Sequence, residues 1–478
     1  DTTKRKLGRS SALHMSHINR HYSGYSSANN HLVGEAAGVL IGSLGLVECA
    51  KTERWKRKAY DILLRELRLQ NGEDGVNREQ ALSYQQFVLD FYLIAFGCCV
   101  QYHVPVPETA YVTLGRMLWF LAACQTAGGE PMTYGDDDDG LVIYLLQSCP
   151  GIYQSLIHTG HLLFDISPGM KPEAETDPMR VAGTEEERPP ATDIKSTFYQ
   201  VLFRKTGASL DAAKSAIRRA LAPRVQSGGL FPDGGYAFLG KDFSESSEQK
   251  LMFDFGKLGY LSISAHGHAD ALSFSFSAGG KNIFVDPGTY AYHTQQKWRN
   301  WFRGTSAHNA LVVDDTNQSV IEGDFMWGRK ATCVLMEHVP FKKVVASHDG
   351  YLSLPDGVLH ERSIEFSPDQ NKWIIRDNLR CMGKHKISIY FHLHPEARVT
   401  EEKDGVWMVR RGNVTVALLQ DKKTVAVLSE GDAMTPAGWF SPSYDVRIPA
   451  QSLCFSSEII GKETFEHTFT ALLLEDER

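Results

Sequence analysis

Apolar residues recur at three-and-four spacing through the first half of the chain and at alternate positions through the second, and this change of period divides the molecule. The first pattern predicts long helices over residues 32–51, 53–70, 79–101 and 108–127. Their joins are short, so helix hairpins are expected. Weaker helical patterns follow over 141–147, 152–164, 194–204 and 209–221, while 167–193 is rich in Pro, Glu, Thr and Gly without a period and reads as a long exposed loop. From residue 229 onward come short alternating runs at 331–337, 342–347, 363–366, 372–376, 387–393, 406–410, 414–419, 424–428 and 452–456, with turn residues between them. Many short strands at this spacing predict an antiparallel β-sandwich. The fold class is therefore α+β, with a helical domain over 1–222 and a β domain over 223–478. The cleft between them is the expected site.

Hairpin geometry alone brings three polar clusters together. Asn29, Asn30 and His31 precede the first long helix; that helix leads away and the second returns, so the loop at 71–75 (NGEDG) falls at the same end. Tyr84 lies near the start of the third helix, and 134–139 (YGDDDD) follows the fourth. All three should meet on one rim, as loops on a rigid scaffold do. Each has a plainer explanation. The asparagines suit a helix cap, Tyr84 shares a face with Val88 and Phe91 and suits a core edge, and the aspartates suit a solvated turn.

Chemistry concentrates in residues 260–310, which hold His266, His268, Asp270, Asp286, His293 and His308. Alternation predicts strands over 262–268 and 272–277, a turn at Gly279-Gly280, and a returning strand over 281–286 that carries Asp286 toward the histidines. Residues two apart share a strand face, which pairs His266 with His268. Imidazole nitrogen and carboxylate oxygen are zinc donors, so His268, Asp286 and His308 form a plausible three-ligand set, with surface histidines as the alternative. Trp298, Trp301, Arg299 and Arg303 combine rings with guanidinium groups, the pairing that stacks on sugars and grips carboxylates. Core and surface packing would use them equally well.

Composition narrows the partners. A formal charge of −7 over 478 residues argues against nucleic acid while leaving room for a local basic groove. No apolar run reaches the length of a membrane span, and residues 1–20 lack the basic-then-apolar order of a signal peptide. The polar, basic start suggests a processed or truncated product. Of eight cysteines, Cys49, Cys98, Cys99, Cys124 and Cys149 fall in apolar helical sequence without CxxC spacing, which predicts buried free thiols.

Five stretches in order, SSANNHLVGEAAG, NREQALSYQQFVLDFY, HGHADALSF, FVDPGTYAY and WFRGTSAHNALVVD, resemble the heparinase II/III-like polysaccharide lyases, a group that includes heparan sulfate, chondroitin, hyaluronan and alginate lyases. The resemblance covers about residues 25–315. It implies an α/α toroid ahead of antiparallel β-sheet, incomplete here because almost no helix is expected before the asparagine motif. Residue by residue, it implies Asn30 as the group that neutralises the substrate carboxylate with His31 beside it, Tyr84 and His266 as catalytic groups facing across the cleft, and Tyr290 or Tyr292 as an additional tyrosine. His268, Asp286 and His308 would hold one structural divalent metal, zinc. Arg78, Asp136, Tyr292, Trp298, Arg299 and Arg303 are expected to line an acidic glycan. The implied reaction is β-elimination from a uronic-acid polymer, a glycosaminoglycan first and alginate second, in a periplasmic or secreted setting. Two rivals use the same residues otherwise: a hydrolase built on 136–139 and the histidines, and a polysaccharide-binding protein without catalysis.

Overall fold

The computed structural model describes residues 2–46, 48–144, 151–166, 194–204, 208–226, 228–403, 405–432 and 436–474. Its helices are α1 (Thr2–Ile18), α2 (Asn30–Gly45), α3 (Ala50–Leu69), α4 (Leu82–Gln101), α5 (Glu108–Ala123), α6 (Ile152–Phe164), α7 (Ile194–Phe203), α8 (Ala208–Gln226) and, within the β region, α9 (Gln296–Phe302). α2 packs on α3 and α4, α4 on α5 and α7, and α5 on α6 and α8. Val39, Leu63, Leu89, Phe96 and Leu118 are fully buried in their common core, each stabilising the fold by about 2 kcal/mol. The asparagine motif is preceded by one helix that the sequence pattern did not reveal. α1 has no apolar stripe; its buried residue is Met15, which packs where Gly42 of α2 has no side chain, and a Cβ at Gly42 would meet the Met15 sulfur at 2.5 Å.

Helix starts follow local chemistry. The side chain of Asn29 caps α2 by accepting from the His31 amide at 3.2 Å. α4 begins at Leu82 rather than 79, because Gln80 takes a left-handed φ of 56° and its amide donates to the Gly234 carbonyl at 3.0 Å. The expected helix at 141–147 is absent over 141–144, and its remainder, with Cys149 and the expected loop at 167–193, lies outside the described residues. The seven described cysteines are free, but Cys49 is exposed and Cys98 half-buried, while Cys99 and Cys124 are buried as expected.

Strands β1 (Leu230–Phe231), β2 (Tyr236–Lys241), β3 (Gln249–Asp254), β4 (Phe274–Ala278) and β5 (Lys281–Phe284) form a five-stranded antiparallel sheet in sequence order. Gly279 and Gly280 turn β4 into β5 with φ of 56° and 74°, the paired positive values that a two-residue hairpin turn needs. A ten-stranded sheet packs over it, and Phe276 and Phe284 of the first meet Trp373 and Phe469 of the second in one core. The result is a helical domain followed by a β-sandwich. Two of its strands are far longer than expected: Lys372–His392 joins the separate runs at 372–376 and 387–393, and Gln451–Leu473 extends the run at 452–456. They pair along their length across an irregularity between Arg380 and Lys384, which is where the alternation breaks in the sequence.

The expected strand at 262–268 is not formed. Leu261 and Ser264 have φ of 57° and 52°, the segment coils so tightly that a Cβ on Gly267 would lie 1.4 Å from the Leu258 carbonyl oxygen, and Trp327 ties it down by donating to the Ile263 and Gly267 carbonyls. His266 and His268 therefore stand on a loop. The two domains are clamped around that loop by buried hydrogen bonds. Asp74 accepts from the Asp233 and Gly234 amides at 2.7 and 2.8 Å, Lys250 donates to the Ala123 carbonyl at 3.0 Å, and the Asp136 amide donates to the His266 carbonyl at 2.9 Å.

Candidate active site

Tyr84, near the N-terminus of α4, stacks its ring on the imidazole of His266 from the β domain, with centroids 3.8 Å apart and planes at 19°. The Tyr84 hydroxyl is 3.1 Å from the Tyr292 hydroxyl and 3.4 Å from Asp138 Oδ2. Burial raises the Tyr84 pKa far above that of a free phenol, and the charges of Asp138 and Asp136 add to the effect. The phenol keeps its proton. On the other side of His266, Glu79 lies with Oε2 3.9 Å from Nε2, and the same carboxylate accepts from the Asn30 amide group at 2.7 Å and the Asn30 backbone at 3.2 Å. Burial pushes the Glu79 pKa up, against the pull of His266 and Asn30. His31 reaches back to Asn29 Oδ1 at 2.8 Å, and burial followed by the nearby His266 charge lowers its pKa, which favours the neutral ring.

Behind His266 sits Asp136, fully buried and saturated with donors. Oδ2 accepts from His266 Nδ1 at 3.2 Å and Arg299 Nη2 at 2.8 Å, and Oδ1 accepts from His268 Nε2 at 3.0 Å and from Arg299 Nη1. Burial alone would raise this carboxyl, but Arg299 and the two imidazoles outweigh it and hold the group well below the usual carboxylate range. An ionised carboxylate only accepts. Protons therefore sit on His266 Nδ1 and His268 Nε2, which leaves the lone pair of His268 on Nδ1 and turns His266 Nε2 toward Glu79.

His268 Nδ1 is one of two orphaned imidazole nitrogens here. His308 Nδ1 bonds Asp286 Oδ2 at 2.7 Å and its Nε2 also has no partner, although both rings are buried. Ligand atoms of His268, Asp286 and His308 all lie within 4.8 Å of one another. Two imidazoles and a carboxylate with orphaned buried nitrogens fit a divalent metal, and Asp136 on the far nitrogen of His268 is the usual outer support of such a ligand.

With this geometry in place, the comparisons with known proteins are informative. A model for the heparinase II/III-like C-terminal region matches residues 223–466, and one for the heparinase II/III N-terminus matches 8–126. The chain belongs to the heparinase II/III-like family. It is similar to a heparin-sulfate lyase of Bacteroides stercoris, 20% identical over 439 residues that cover 90% of this chain and 55% of that protein. It is also similar to one of Bacteroides thetaiotaomicron, 23% identical over 402 residues that cover 80% of this chain and 49% of that protein. The chain thus spans about half the length of these curated relatives. Its fold superposes on the crystal structure of heparan sulfate lyase HepC from Pedobacter heparinus with a TM-score of 0.65 at 15% identity, covering 96% of this chain and 62% of that one.

In this heparinase II/III-like chain, Asn30, His31, Tyr84, His266 and Tyr292 converge, and the triad His268, Asp286, His308 assembles beside them. Tyr292, not Tyr290, reaches Tyr84; the Tyr290 hydroxyl accepts from Gln295 at 2.6 Å. Arg78 is exposed. Four other expected glycan-lining residues, Asp136, Trp298, Arg299 and Arg303, are corrected. Asp136 and Arg299 are 0% exposed and bind each other; Arg303 is likewise buried and donates to the Asp324 carbonyl at 2.9 Å; Trp298 is covered by Arg447, 3.7 Å from its ring centre. Asp136 and Arg299 support His266 and Tyr292 from behind rather than line a glycan. Sequence reasoning missed Glu79, although a lone acidic residue leading into the largely apolar run of α4 was a signal. It also missed Phe325, from a distant hairpin, whose ring lies 5.9 Å from His266 and 4.9 Å from Tyr292.

Asp137, half-buried next to this centre, accepts from the Asp139 amide at 2.9 Å, and burial pushes it up to about 6 from 3.8. Between those values the folded chain holds a proton that the unfolded chain has released, so stability falls as pH rises through the window and stays lower above it. Asp137→Asn is expected to raise the melting temperature at neutral pH, by no more than about 3 kcal/mol of stability, and to change nothing below pH 3.8. Thermal melts of both proteins across pH check this; a gain that persists in acid assigns it to another cause.

Proposed function

We propose that the chain is a polysaccharide lyase that cleaves uronic-acid glycans, glycosaminoglycans first, by β-elimination to unsaturated uronate products. The observation that carries the reading is the stacked Tyr84 and His266 pair, brought from two domains onto one carboxylate-facing rim beside Asn30. The hydrogen at C5 of a uronate is not acidic. It leaves only when the neighbouring carboxylate is neutralised so that an aci-carboxylate can develop, a task for preorganised donors. Asn30, its amide fixed by Glu79, suits that task, with His31 beside it. His266, with Nδ1 held by Asp136, suits the base through Nε2, and Tyr84, whose proton is tightly held, suits the acid that protonates the departing O4 oxygen. A glycoside hydrolase would need two free carboxyl groups flanking the bond, and Asp136 is fully engaged by Arg299.

The triad His268, Asp286 and His308 is read as a structural zinc site that ties the histidine loop to the sandwich, and a bound ion there would neutralise Asp286 and cross-link three segments. It follows that His268→Ala lowers the melting temperature more than His266→Ala, and that a chelator lowers it in the wild type but not in His268→Ala; the reverse order in melts would undo the assignment. A periplasmic or secreted location belongs to the same reading, and among the described residues no helix is long and apolar enough to cross a membrane. The deciding experiment is a panel of heparan sulfate, heparin, hyaluronan, chondroitin sulfate and alginate, read by the ultraviolet absorbance of the unsaturated uronate. Absorbance with none of them sinks the proposal.

A further inference from the structure

We propose that the outer face of α3 is a binding groove for sulfated stretches of the polysaccharide. The identity of the polymer rests on the lyase reading above; the groove itself rests on charge and shape. In its twenty residues α3 carries seven basic side chains and three acidic ones, within a chain whose formal charge is −7. Arg54, Arg57, Lys58 and Arg65 recur at helical spacing and so project to one side. They line a surface groove of about 430 Å³ with Leu32 and Ile62 in its lining and Asp61 as its acidic group.

The cations are exposed and largely uncommitted. Arg54 and Arg57 have no carboxylate partner among the described residues. Lys58 sits 4.7 Å over the Tyr22 ring and donates to the Asn19 carbonyl, an arrangement that holds its ammonium at the groove edge. Arg65 is anchored on the buried Glu66 at 2.8 Å.

Arg54 to Arg65 spans roughly 16 Å of helix axis, the reach of several sugar rings. An unsulfated glycosaminoglycan such as hyaluronan presents a carboxylate only on alternate sugars, too sparse to match four cations over that length. Ester sulfates between the carboxylates supply the missing charge, and guanidinium forks grip such oxyanions through paired hydrogen bonds.

The test is fluorescence anisotropy of a labelled heparin oligosaccharide with wild type and with Arg54→Ser/Arg57→Ser/Lys58→Ser. Three lost surface ion pairs should weaken binding about tenfold, with the difference shrinking as ionic strength rises. A hyaluronan oligosaccharide of equal length should lose much less. Equal heparin affinity in the two proteins overturns the groove, an equal proportional loss for hyaluronan overturns its preference for sulfate, and a DNA oligomer bound as tightly as heparin reassigns it to general polyanion binding. Should the triple variant fail to fold by circular dichroism, the single changes Arg54→Gln and Arg57→Gln carry the same comparison at smaller amplitude. Because the readout is binding, a protein that eliminates nothing from any polymer removes the lyase reading and leaves this result standing.

Discussion

Replacing Tyr84 with phenylalanine is expected to lower turnover on a cleaved uronate polymer by a hundredfold or more while leaving the melting temperature close to that of the wild type. The size follows from the loss of a positioned general acid, whose contribution runs to about a hundred- to ten-thousandfold. The ring stays, so its stacking on His266 and its packing against Phe87 persist. What disappears is one hydroxyl with two long contacts, to Tyr292 and Asp138, and the loss of such contacts costs stability little. A near-normal rate in Tyr84→Phe would remove the phenol from the chemistry and shift attention to His266 and Tyr292. A lost fold would mean that the hydroxyl is structural. Steady-state kinetics beside a thermal melt separates the three.

The second large effect concerns Asp136. Asp136→Leu leaves the Arg299 guanidinium buried without a counter-charge and takes the acceptor from both His266 Nδ1 and His268 Nε2, and breaking such a buried pair costs about 3–5 kcal/mol. The expected result is a fall of the melting temperature by roughly 3–5 °C together with loss of activity. The double variant Asp136→Leu/Arg299→Leu is the informative partner, because removing both charges of a buried pair is far cheaper than removing one. It should recover most of the stability and none of the turnover, since nothing then fixes the proton on His266 Nδ1. Recovery of both would reduce Asp136 to a structural counter-ion, and recovery of neither would mean that the histidine bonds, not the charge, carry the stability. Denaturant melts and kinetics on the four proteins of this cycle decide.

Much of the outline was legible in the chain itself. The switch of period from three-and-four to two reports which face of each element meets the core, and that is a local property, so the division into helices and then sandwich and the Gly279-Gly280 hairpin could be read from residue order. The residues to which the proposed chemistry falls, Tyr84, His266 and the triad of His268, Asp286 and His308, stood out by their type. What only the tertiary structure decided is partnership. Asp136 looked like one solvated aspartate among four, and Arg299 and Arg303 looked like grips for a glycan, until folding placed them at 0% exposure. Glu79 was a lone charge until it met Asn30. The histidine segment alternated like a strand, yet its backbone coils because Trp327 and Asp136, from distant parts of the chain, satisfy its carbonyls and rings more fully than a neighbouring strand would. Burial and pairing depend on groups far apart in sequence, and the charge state of every side chain in this site is set by them.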